Sequence, residues 1–134
     1  MPVVNKARKP DYRDLDLDFS PHPATGDVPF KVGEEAIKRS IRNLILTNFY
    51  DRPFRSSIGS NAQKLLFENI DKMTAANLER ACRDVIINFE PRVTLIDIVV
   101  SVTPDWNAYI VGLKYTINNR LEPTVSTIIL ERIR

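Results

Sequence analysis

The sequence predicts an α+β fold: a short N-terminal strand, three helices, and a three-stranded antiparallel meander, with the helices packed on one face of the sheet. Three observations carry this expectation. Apolar residues recur at helical spacing up to Phe89, and Pro91 then breaks the pattern. Beyond it lie β-branched and aliphatic runs separated by Pro104-Asp105-Trp106-Asn107, which is turn chemistry. Helices followed by strands, rather than alternating with them, indicate an α+β layer arrangement. A chain of 134 residues with 43% hydrophobic content suits one core. Residues 1–12, with two prolines and little that could pack, read as a flexible arm, and residues 13–134 as a single domain.

Asp14-Leu15-Asp16-Leu17-Asp18-Phe19 alternates charge with apolar side chains, which predicts a short edge strand with Leu15, Leu17 and Phe19 on its inner face. Pro21, Pro23, Gly26 and Pro29 make residues 20–29 a loop. Ile37, Ile41, Leu44 and Ile45 predict a first helix over residues 34–49, with Glu34 and Glu35 suiting its positive end. Residues 50–59 read as an irregular connector, and residues 61–70 as a second helix with Leu65, Leu66 and Ile70 inward. Thr74 is the expected N-cap of a third helix over residues 75–89, whose stripe is Leu78, Cys82, Val85, Ile86 and Phe89. Strands are expected over residues 93–102, 108–117 and 124–132, with Ile96, Ile98, Val100 and Val102 toward the helices. Leu95, Val99 and one of Ile128 and Ile129 then fall on the other face, so neither face reads as fully solvated.

Composition removes several functions. With 19 basic and 17 acidic residues the net charge is only +2, which does not call for nucleic acid; Lys38, Arg39 and Arg42 read as a solvated helix face, without interleaved aromatics. No apolar run is long enough for a bilayer, and no apolar segment follows the basic N-terminus, so no membrane association is expected. One cysteine excludes an intramolecular disulfide. His22, the sole histidine, stands in a proline-rich loop, and Cys82 lies in an apolar stripe. Asp14, Asp16 and Asp18 lack the glycine and terminal glutamate of a calcium loop, so neither metal nor cofactor is expected. Glu68, Glu79 and Glu90 are the candidates for a glycosidase-type carboxylate pair, an alternative that ranks below a structural role.

Glu90-Pro91-Arg92 stands apart, because it sets opposite charges around a stiff proline where helix gives way to strand. An arginine fork held there suits a carboxylate or backbone carbonyls at an interface, or else a local cap with a weak ion pair. Ile87-Asn88-Phe89-Glu90-Pro91-Arg92-Val93 resembles the Glu-Pro-Arg signature of the baseplate wedge proteins of contractile-tailed phages, also called sheath initiators, and of the related type VI secretion baseplate subunit. Tyr50-Asp51-Arg52-Pro53-Phe54, Ile58-Gly59, Leu65-Leu66-Phe67-Glu68 and the closing hairpin follow the family order, so the resemblance covers nearly all of residues 14–132. One departure is Arg55-Ser56-Ser57, which lacks a second proline.

The resemblance implies a structural, non-enzymatic protein of a virion tail baseplate, made in the host cytoplasm and present in six copies around the tail axis. Glu90, Pro91 and Arg92 would meet the core bundle of the larger wedge proteins. The last strand, Thr124, Val125, Ser126, Thr127, Ile128, Ile129 and Leu130, would accept a strand of the tail sheath protein, with tail tube or hub as further neighbours. On this reading Arg92→Ala blocks incorporation and leaves the domain folded. The alternatives are a cell-wall-degrading, lysozyme-like glycoside hydrolase, a label some relatives carry, and the type VI subunit.

Overall fold

The computed structural model describes residues 11–118 and 120–132. Cα proximity divides the chain into two compact units, Met1–Ile37 and Lys38–Arg134, with the boundary inside the first helix. Most of the expected arm lies outside the described residues. Tyr12 is placed, and its carbonyl accepts a hydrogen bond from Gly33 N at 2.7 Å.

In the first unit, β1 (Arg13–Leu15) pairs antiparallel with β2 (Phe30–Val32), a strand the sequence reading missed. Leu15 faces Phe30 and Arg13 faces Val32. The expected strand over residues 14–19 is thus cut short, and its polarity is reversed. Leu15, Leu17 and Phe19 are exposed, whereas Asp16 is buried. The reason is local: Asp16 accepts from Asp18 N at 3.1 Å through its side chain and from Phe19 N at 3.2 Å through its carbonyl, closing a turn that puts Phe19 at φ +52. Lys31 reaches Asp16 at 3.6 Å, so the inner face of this hairpin is an ion pair and its apolar face looks outward. Strict charge–apolar alternation identified the faces but could not say which one is covered.

Helix α1 (Glu34–Leu46) places Ile37, Ile41, Leu44 and Ile45 in the interior as expected, and ends three residues early, where Thr47 Oγ1 donates to Asn43 O at 2.6 Å. The second helix, α2, is only Ala62–Leu65, shorter than residues 61–70. Of its three expected core residues Leu66 is buried, while Leu65 and Ile70 are half-exposed. Helix α3 spans Lys72–Phe89, and its N-cap is Asp71 rather than Thr74. The Asp71 side chain accepts from Thr74 N at 2.6 Å, leaving Thr74 in the first turn. The stripe Leu78, Cys82, Val85 and Ile86 is buried, with Phe89 at its margin.

That cap makes acid stability a test. Hydrogen bonding from Thr74, backbone first and then side chain, lowers the Asp71 pKa below its ordinary 3.8. A depressed carboxyl pKa contributes stability that is present above the unfolded value and lost as pH falls through the folded one. The stability deficit of Asp71→Ala in urea titrations should therefore be constant well above pH 3.8 and shrink below it. A deficit unchanged at the acid limit of the fold would contradict the cap.

The second unit carries β3 (Val93–Thr103), β4 (Ala108–Ile117) and β5 (Pro123–Glu131), an antiparallel sheet in the order β3-β4-β5. A turn of 3-10 helix at Pro104–Trp106 and Asn107 at φ +51 make the first connection. Helix α3 packs on β3. The facing of β3 departs from the alternation read from sequence. Leu95 pairs with Tyr115 but Asp97 pairs with Lys114, so Ile96 is the extra residue of a β-bulge. A one-residue slip exchanges faces. Before the bulge Leu95 therefore lies on the same side as the buried Tyr115, and Ile96 is 50% exposed; after it Ile98 is buried and Val99 is exposed. In β5, Ser126, Ile128 and Leu130 point inward, and Val125, Thr127 and Ile129 outward.

Candidate functional site

Glu90 is where α3 stops: its φ of −119 and ψ of +81 are not helical, as a residue before proline requires, although its N–H still donates to Ile86 O at 3.0 Å. Its carboxylate turns into the protein. Arg92 Nε donates to Oε1 at 2.7 Å and Nη2 to Oε2 at 3.0 Å, a fork-to-fork pair, while Ser40 Oγ of α1 donates to Oε2 at 2.5 Å. The Glu90 side chain is 2% exposed and that of Arg92 22%. The charges are thus spent on each other across a rigid corner, at which Pro91 is exposed and Arg92 partly so.

Two residues that the sequence reading passed over hold this corner. Ser40 links it to α1. Asn118, just past β4, donates from its backbone to Arg92 O at 3.0 Å and from Nδ2 to Pro91 O at 2.8 Å. The register explains Asn118: Val93 pairs with Ile117, which brings the next residue opposite Arg92. Once the hairpin was aligned, a turn-forming asparagine there was a readable signal.

The second feature is an edge. Among the described residues β5 has a neighbour only on its β4 side, so the backbone groups along its other side are unpaired within this sheet. Beside it runs a cleft of about 590 Å³, lined by Arg42 and Leu46 of α1, Gln63 and Leu66 at α2, and Thr127–Glu131. Five consecutive strand residues, facing alternately in and out, line one cleft only if it follows the backbone edge itself. The sheet's outer face is also apolar: Ile96, Val99, Val125 and Ile129 are each at least half exposed.

Cys82 is buried, and loss of solvation pushes its thiol up to about 12, with Glu79 adding to the shift. His22 is exposed, its Nδ1 accepting from Ala24 N at 3.2 Å. Glu79 pairs with Arg83 at 3.1 Å, Glu68 is exposed, and Glu90 is sealed by Arg92 and Ser40. Among the described residues no group of three or more His, Cys, Asp and Glu could hold a metal, and no helix is long and apolar enough to cross a membrane.

The family model for baseplate wedge protein gp25 matches residues 31–122, which include the whole Glu90–Arg92 corner. The chain belongs to the gp25 baseplate wedge family. Baseplate wedge protein gp25 of Enterobacteria phage T4 is 32% identical over 93 residues, covering 68% of this chain and 69% of its own length. Solved structures share the fold. One, provisionally named a tail lysozyme, from Geobacter sulfurreducens, superposes with a TM-score of 0.68 at 20% identity, over 75% of this chain and 92% of its own. A chain of the anti-feeding prophage baseplate gives 0.62 at 22% identity, over 92% and 88%. The match to the gp25 family ends one residue before β5, so the corner lies within the family region and the edge strand beyond it.

Proposed function

We propose that this protein is a structural component of a contractile-tail baseplate, attached to the wedge core at the Glu90-Pro91-Arg92 corner and offering β5 to an incoming strand of the tail sheath protein. The observation that carries the reading is that, among the described residues, one edge of β5 is unpaired in a member of the gp25 wedge family. An unpaired edge binds an extended segment through main-chain hydrogen bonds, with alternate side chains giving specificity. The apolar outer face, centred on Val99, Val125 and Ile129, offers a broader contact for neighbouring subunits once the strand is in place. The corner's part is geometric. Its charges are satisfied internally, so it presents Pro91 and the exposed part of Arg92 at a fixed angle.

In this reading six copies encircle the tail axis in the virion baseplate, wedge proteins and sheath are the direct partners, and tube or hub proteins are neighbours. The test is co-expression with wedge and sheath proteins, followed by hydrogen exchange on purified assemblies. Amides of residues 124–131 should gain protection only when sheath is present. Sheath attached with no change in those amides would overturn the strand-addition reading.

A further inference from the structure

We infer that the cleft beside β5 selects an extended segment that carries a carboxylate, with Arg42 as the residue that reads it. The inference rests on the strand-addition reading and adds the chemistry of the incoming strand. On the helix side of the cleft, Leu46 and Leu66 supply apolar contact. Gln63 is already committed, its Nε2 donating to Leu46 O at 2.9 Å and its Oε1 accepting from Asn48 Nδ2 at 2.6 Å. Arg42 is different: it is exposed, and neither it nor Glu131 at the strand end has an ion-pair partner among the described residues. A guanidinium left with its fork open in the lining of a partly enclosed cleft of mixed polarity is suited to bidentate capture of a carboxylate.

A segment laid against β5 would turn alternate side chains over Leu46 and Leu66 and bring one acidic side chain under Arg42. A basic side chain in that position would be repelled by Arg42.

The probes are synthetic nine-residue peptides of alternating threonine and valine, identical except for a central aspartate, asparagine or lysine. Binding to the full chain is read by fluorescence anisotropy, and engagement of β5 by amide protection over residues 124–131. The aspartate peptide should bind about three- to tenfold more tightly than the asparagine peptide, as expected for a partly screened ion pair. The lysine peptide should be weakest. The aspartate advantage should shrink with added salt and vanish in Arg42→Gln, an exposed substitution expected to leave the fold intact. Equal binding of all three peptides with β5 protected would overturn the role of Arg42 while leaving strand addition standing. Failure of every peptide to protect β5 would remove strand addition itself, and the inference with it.

Discussion

Arg92→Ala is expected to destabilise the protein by about 3–5 kcal/mol, because it leaves the Glu90 carboxylate buried without its counter-charge. The sequence alone predicts that the substitution spares the fold and affects docking alone; the buried carboxylate predicts a cost to the fold as well. With the Glu90 side chain 2% exposed, desolvation of the carboxylate is offset by two bonds from Arg92 and one from Ser40, and removing the fork leaves only the hydroxyl. Ser40→Ala should cost less, roughly 1.5–3 kcal/mol, the range for a hydrogen bond to a charged group. Replacing both charges at once, as Glu90→Met with Arg92→Met, removes the uncompensated ion and should recover most of the loss. Urea denaturation of Glu90→Met, Arg92→Met and the double variant closes this cycle. An Arg92→Ala loss under about 1 kcal/mol would mean that the pair is not the lock its geometry describes. The double variant also separates folding from docking. If it folds and still enters wedges, the corner's charges serve the fold, and Pro91 with its fixed geometry does the attaching.

The order of elements was legible because it rests on periodicity and proline, both local. Helices α1 and α3 and strand β4 lie close to where their apolar spacing put them, and Pro91 ends α3 as its ring requires. What was not legible depended on tertiary partners. Nothing in Leu95-Ile96-Asp97 marks a bulge, since all three residues fit a strand; only the pairing with Tyr115 and Lys114 reveals it. Nor could Asp14–Phe19 show that Asp16 would be the buried residue, because Lys31, fifteen positions away, decides that. The candidate site divides in the same way. Glu90-Pro91-Arg92 announced itself by composition, but whether its charges faced outward or toward each other was settled by Ser40 and by the position of Asn118 at the end of β4. Residues 124–130 read as a strand from sequence, yet only the sheet order makes that strand an edge, and only the approach of α1 and α2 makes a cleft beside it.

Gly59→Ala is expected to be nearly as costly, on the order of 2–5 kcal/mol: about 1–3 for the backbone conformation and a similar amount for forced displacement. Gly59 has φ +155, and a Cβ built on it would lie 2.6 Å from Asn48 C and 2.7 Å from Asn48 O and Phe49 N. Those are backbone atoms, which cannot rotate aside as a side chain could. They belong to the crossing at which Asn48 bridges Ser60, Ser60 N donates to Thr47 O at 2.8 Å, and Ser60 Oγ donates to Ile45 O at 2.6 Å. Moving the strands of this crossing apart would loosen the join between the end of α1 and the start of α2. Leu46, Gln63 and Leu66 sit on that join and form the helix wall of the cleft beside β5. Gly59→Ala should therefore lower the urea midpoint and, in the fraction that remains folded, weaken binding of the aspartate peptide. Arg42→Gln should do the reverse, leaving stability unchanged and abolishing only the preference for aspartate. Full stability in Gly59→Ala would show that the crossing yields easily, and peptide affinity would then be expected to stay at the wild-type value.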